Sequence, residues 1–197
     1  LVPIPAGVRQ LSTAVLILVL LTIVSGGLVA GTRAGFAFNT FPLMGGRVFP
    51  DGLYASRPVW PSLFEEIVTV QFNHRLLAAV LGMAVMLLWW HLTRPARPAA
   101  TRAAAHLLVG WLGIHTTLGI LTLLYVVPVP LAVAHQGSAI VLLGLAVLVR
   151  HRVRPAPDHC GPFSCRRSDT PSGPLGARQV AVHENRRPVE RGIWRTS

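Results

Sequence analysis

The sequence has no lysine, only seven acidic residues and two cysteines in 197 positions, and just 13% of its side chains are charged. So low a charge content excludes an ordinary soluble domain, where about 25% is usual. A hydrophobic share of 52% and a mean hydropathy of +0.54 exclude a disordered chain. Cys160 and Cys165 are too few for a disulfide scaffold and lie in a polar stretch. A nucleotide-binding loop, a nucleophile triad and a closely spaced zinc motif are also missing.

What is present is four long apolar runs, Leu11 to Ala30, Ile67 to Trp90, Leu107 to Val127 and Leu131 to Val149. Each comes close to the roughly 20 residues that cross about 30 Å of hydrocarbon. The sequence predicts an all-α, polytopic membrane four-helix bundle over 1–154, with an outer loop at 31–66. Beyond it, 155–197 is rich in Pro, Ser, Gly and Arg without apolar periodicity, and reads as a disordered basic cytoplasmic tail. The chain opens on Leu1 rather than Met and shows no cleavable signal pattern before its first span, so the expectation is the back part of a longer protein.

A net charge of +11 invites a nucleic-acid reading, but its location argues for none. Ten of the 18 arginines lie at or after Arg150, and the rest mostly flank the spans. Arg9, the group Arg94, Arg97 and Arg102, and the group Arg150, Arg152 and Arg154 mark three cytoplasmic places by the positive-inside rule. Both termini then face the cytoplasm, and loop 31–66 faces outward. That loop interleaves Phe36, Phe38, Phe41, Phe49, Tyr54 and Trp60 with Gly and Pro, as an interfacial belt or a cap over a cavity would.

Of the eight histidines, His91, His106 and His151 fall near the cytoplasmic ends of spans, and His159 and His183 in the tail. His74 lies seven residues after Ile67 and His135 seven after Pro128, so each is about seven residues inside the outer end of its helix, which places both about 10 Å below the outer surface. Ionisable groups within a span are costly and face interior sites. Two imidazoles from separate helices at one depth can be the axial ligands of a haem iron. Spacing alone leaves open a buried hydrogen-bonded pair, another metal or a proton path. Ala78, Gly82, Ser138 and Ala139 keep the surrounding faces small, which suits a flat macrocycle or close helix packing equally. Gly26, Gly27 and Gly31 do the same near the outer end of the first span.

His115 is expected deeper, in the middle of the third span, as a hydrogen-bond partner of a propionate or of helix backbone, with a third ligand or a proton-handling group as alternatives. Gln71, one turn before His74, and Gln136, beside His135, can orient buried polar groups but cannot act as acids or bases. Arg75 and Arg33 are candidate partners of anionic propionates, or else snorkel to headgroups. Glu65 and Glu66 fall at the water boundary and read as solvated.

Four segments in order, GGLVAGTRAGFAFNTFPLMGG from Gly26, VQFNHRLLA from Val70, LGILTLL from Leu118 and AHQGSAIVLL from Ala134, resemble the haem A synthase family over about Gln10 to Val149. The resemblance implies the C-terminal four-helix half of a pseudo-symmetric eight-helix architecture. It further implies conversion of haem O to haem A, by oxidation of a porphyrin methyl to a formyl group, for terminal oxidases. His74 and His135 then correspond to the pair holding a haem b, with Arg75, Gln71 and Gln136 around it. The family's N-terminal half carries a glutamate one turn before its first histidine; the comparable residue here is Gln71. His115 stands where the family commonly has Gln before LGI, and Cys160 and Cys165 match no family cysteines.

The partners implied are haem O and haem A, the lipid bilayer, a missing N-terminal half or a homo-oligomer that rebuilds it, and haem O synthase. The location implied is the cell inner membrane, or the mitochondrial inner membrane in a eukaryote. Two competing readings are a non-catalytic haem-binding module for electron relay or assembly, and a structural bundle without cofactor.

Overall fold

The structure, a computed structural model, describes residues 4–154. The expected tail at 155–197, with Cys160, Cys165, His159 and His183, lies outside the described residues. Four helices make up most of what is described: α1 (Ala6–Gly31), α2 (Ile67–Leu92), α3 (Ala99–Leu124) and α4 (Val129–Arg152). At 24 to 26 residues each is about 36–39 Å long, enough to cross a membrane, and each is apolar enough to do so. The protein is a multi-pass membrane protein.

Pro5, Pro98 and Pro128 stand immediately before α1, α3 and α4, where a missing N–H costs nothing because the first turn has no intrahelical acceptor for it. α3 starts eight residues before the apolar run, because Ala99, Ala100, Ala103, Ala104 and Ala105 have high helix propensity. It also stops three residues early. Val126 and Val127 both turn left-handed, with φ of 60° and 58°, and end the helix. That conformation is costly for β-branched residues and reverses the chain within four residues.

α1 packs on α2 and α3 on α4, while α4 closes against α1 and α2 against α3, so α2 and α4 are diagonal partners in the square. The buried apolar cluster is one-sided. Val8, Val15 and Val19 of α1, Leu81, Val85, Leu88 and Leu92 of α2, Ala104, Ala105 and Leu108 of α3, and Leu142, Ala146 and Val149 of α4 all lie toward the end opposite the long loop. In lipid such a cluster holds by close van der Waals packing rather than by water exclusion. The loop end is filled differently: its buried residues include Thr22, Ser25, Thr69, Gln71, Thr122 and Ser138.

The loop between α1 and α2 is tied down over this polar end. Asn39 Nδ2 donates to the carbonyls of Gly35 and Leu123, both at 2.9 Å, linking the loop to α3. Tyr54 donates from its hydroxyl to Asn73 at 2.7 Å and from its backbone N–H to Thr69 at 3.0 Å, linking it to α2. The loop is thus held over the polar end of the bundle, while its Phe36, Phe41, Phe49 and Trp60 remain exposed.

Candidate functional site

His74 projects from α2 and His135 from the diagonal helix α4, both near the loop end and within reach of one another's charge. A glycine on the neighbouring helix makes room for each ring. A Cβ at Gly26 of α1 would lie 3.2 Å from His74 Cε1, and one at Gly119 of α3 would lie 2.8 Å from His135 Cε1. Each glycine stands five residues before the end of its helix, so the pairs α1–α2 and α3–α4 repeat one Gly-against-His device. The Thr22 carbonyl, one turn before Gly26, is the backbone acceptor beside His74, and Nδ1 of that ring is buried without a completed hydrogen bond.

The matching position before Gly119 is His115, and its carbonyl lies 3.2 Å from His135 Nδ1. A carbonyl oxygen can only accept, so Nδ1 carries the proton and Nε2 keeps its lone pair free. This is the arrangement in which an imidazole is held ready as a metal ligand, its other nitrogen fixed by a second partner. The His115 ring is not deeper than the pair, as spacing suggested. It stacks on His135 with centroids 4.3 Å apart and planes 15° from parallel. Its Nδ1 lies 2.6 Å from Ser138 Oγ, and that hydroxyl donates to the His135 carbonyl at 2.7 Å.

The polar residues around His74 turn to the loop. Gln71, 2% exposed, donates to the Phe38 carbonyl at 3.0 Å. Arg75 donates to the same carbonyl at 2.8 Å and to that of Thr40 at 3.0 Å. Both keep a buried atom without a partner, Gln71 Oε1 and Arg75 Nε, on the helix face that carries His74 Nδ1. Gln136 is exposed on α4 and Arg33 is exposed in the loop, so neither is brought to the histidines. His106 is structural, accepting from Trp89 Nε1 at 3.1 Å between α2 and α3. Glu66 accepts from the Ala55 N–H at 3.3 Å and so helps to secure the loop.

Gly119 and Asn39 were not assigned roles from the sequence, and Ser138 was read only as a small residue beside His135. Gly119 lies within the LGI motif and Ser138 one turn after His135, so both carried a signal, whereas nothing in the spacing joins Asn39 to α3.

Residues 2–147 match the model of the COX15-CtaA family, described as cytochrome oxidase assembly protein. The chain belongs to that family. It is 44% identical over 151 residues to a haem A synthase of Parvibaculum lavamentivorans, covering 75% of this chain and 42% of that protein. A haem A synthase of Rhodospirillum centenum is 44% identical over 153 residues, with 78% and 41% covered. Haem A synthase COX15 of Arabidopsis thaliana is 41% identical over 153 residues, with 77% and 34% covered. The chain thus spans about two fifths of the length of the curated bacterial relatives it matches. No solved structure matches it.

The residues present in this COX15-CtaA chain fit a haem. Two histidines come from diagonal helices, one has its Nε2 left free by a backbone bond at Nδ1, and both rings sit where a Cβ would intrude. The helix ends around them carry small and polar residues in place of the apolar cluster that fills the other end. Among the described residues no group of three or more His, Cys, Asp or Glu is arranged to hold a bare metal ion.

Proposed function

We propose that this chain is the haem b-binding half of a haem A synthase, an oxidoreductase converting haem O to haem A for a terminal oxidase. The observation that carries the reading is the His135 Nδ1 bond to the His115 carbonyl, which puts the proton on Nδ1 and leaves the Nε2 lone pair free, on the helix diagonal to that of His74. His74 and His135 would hold the haem iron, and the group would supply one-electron transfer when bound. Gln71 and Arg75 fasten Phe38 and Thr40 across the mouth of the site, and their unpartnered Oε1 and Nε are left to face a polar group or water. Gln136 has the weakest claim of the residues named, since its side chain is exposed.

Gln71 lacks a titratable carboxyl, so oxidation of haem O calls for a second four-helix half, on another chain or in a homo-oligomer. Haem O synthase is the partner that would deliver the substrate. The positive-inside rule supports reading the loop end as outside and both chain ends as cytoplasmic, in the cell inner membrane or, in a eukaryote, the mitochondrial one. A non-catalytic electron-relay or assembly module is the second reading, favoured by Gln71, an amide that cannot act as an acid or base.

Pyridine-haemochrome and optical analysis of the detergent-purified chain, expressed with haem O available, tests both. The expected result is a low-spin b-type spectrum that disappears in His74→Ala and in His135→Ala. Its survival in both variants would sink the ligand assignment. Haem A formed by this chain alone would show that no second half is required.

A further inference from the structure

We infer that His115 is a positioning residue for the haem, setting the plane of the His135 ring without itself touching the iron. This rests on the haem reading above. Three contacts build the clasp, all from α3 and α4: the ring stack at 4.3 Å, the His115 Nδ1 to Ser138 Oγ bond at 2.6 Å, and the His135 Nδ1 bond to the His115 carbonyl at 3.2 Å. The proton directions follow from the chain of partners. Ser138 has one hydroxyl hydrogen and donates it to the His135 carbonyl, so its oxygen can only accept from His115 Nδ1–H. Ser138 itself is buried, and its own carbonyl accepts from Trp111 Nε1 at 2.9 Å, so the residue that orients His115 is held from both helices.

An imidazole bonded only through Nδ1 can still rotate about that bond. A second plate 15° from parallel at one face, with Gly119 pressed against its Cε1 edge, removes that freedom. Among the described residues no equivalent plate stacks on His74 of α2: the position matching His115 is Thr22 of α1, whose hydroxyl is used within its own helix on Leu18. One ring of the pair is therefore fixed in plane by its neighbours, and the other is held by its glycine and the iron. In a low-spin ferric haem with two imidazole ligands, the relative orientation of their planes sets the spread of the g values, so the clasp has a spectroscopic signature independent of activity.

The test compares the haem-loaded wild-type chain with His115→Gln, His115→Phe and Ser138→Ala by electron paramagnetic resonance and by haem retention against a competing apoprotein. Gln keeps a donor for Ser138 but no plate; Phe keeps a plate but no donor. The expected result is that all three remain low-spin with two histidine ligands. His115→Gln shifts and broadens the largest g value and loses haem about tenfold faster, the scale found when a ligand's outer partner is removed. His115→Phe holds the g value closest to wild type, and Ser138→Ala broadens it. Unchanged g values and retention in His115→Gln would overturn the proposal. A high-spin spectrum in both His115 variants would overturn it differently, by making His115 a ligand. A wild-type chain with no low-spin haem would instead fail the haem reading itself.

Discussion

Two glycines decide how near two rings can stand to their neighbouring helices, and their different clearances give a graded expectation. A methyl at Gly119 would meet His135 Cε1 at 2.8 Å, closer than real Cβ contacts, so the ring has to move off the line fixed by the His115 carbonyl. At Gly26 the clearance to His74 is 3.2 Å, which a shift of a few tenths of an ångström accommodates. Gly27, with nothing near it, gains only helix propensity, about 0.5–1 kcal/mol. Haem content after purification is expected to fall in the order Gly27→Ala, Gly26→Ala, Gly119→Ala, with the first at or near wild type. Equal haem in all three would mean that neither ring is held against its glycine. That both histidines lie near the loop end was legible from their depth; that a glycine backs each was not, because depth along a helix says nothing of its rotation about its axis. His115 shows the same limit, since a position along α3 does not tell which α4 side chain its ring will meet.

The long loop behaves as an element in its own right, attached through backbone carbonyls, through the Tyr54 bonds to Thr69 and Asn73, and through the Phe49–Phe72 ring contact. Phe38 and Thr40 offer carbonyls to α2, while Asn39 between them donates to Leu123 near the end of α3, so one tripeptide is fastened to two helices. The four spans were legible because each apolar run is long and lightly charged. The ends were less so, because alanines extended α3 at its start and two left-handed valines cut it short. The loop could be read only as a belt or a cap, since its aromatic composition serves either. Asn39→Ala is expected to cost about 1–2 kcal/mol through the lost bonds to Gly35 and Leu123, and to open 36–59 to limited proteolysis. Asn39→Asp has the same shape but no donor and is expected to behave like Ala. An Asp variant as stable and as protease-resistant as wild type would remove Asn39 from the attachment.

Across the whole molecule the two ends of the bundle are held by different means. The end away from the loop is packed by Val15, Val85, Leu88, Leu108, Leu142 and Val149, none more than 2% exposed. The loop end joins its helices through Thr22, Gln71, His74, His115, His135 and Ser138, and several of its buried polar atoms are unpartnered. A ligand that binds the folded state stabilises it in proportion to RT ln(1 + [L]/Kd), and where one end lacks its filling the gain is concentrated there. Hydrogen exchange on the chain with and without haem b is therefore expected to show protection rising in 22–31, 71–78, 115–122 and 132–139. The segments 81–92 and 142–152, already slow, are expected to change little. Equal slowing at both ends would mean that haem stabilises the fold globally and that the loop end is as well packed without it. Protection gained only on α3 and α4, with α1 and α2 unmoved, would mean that His74 does not share the iron.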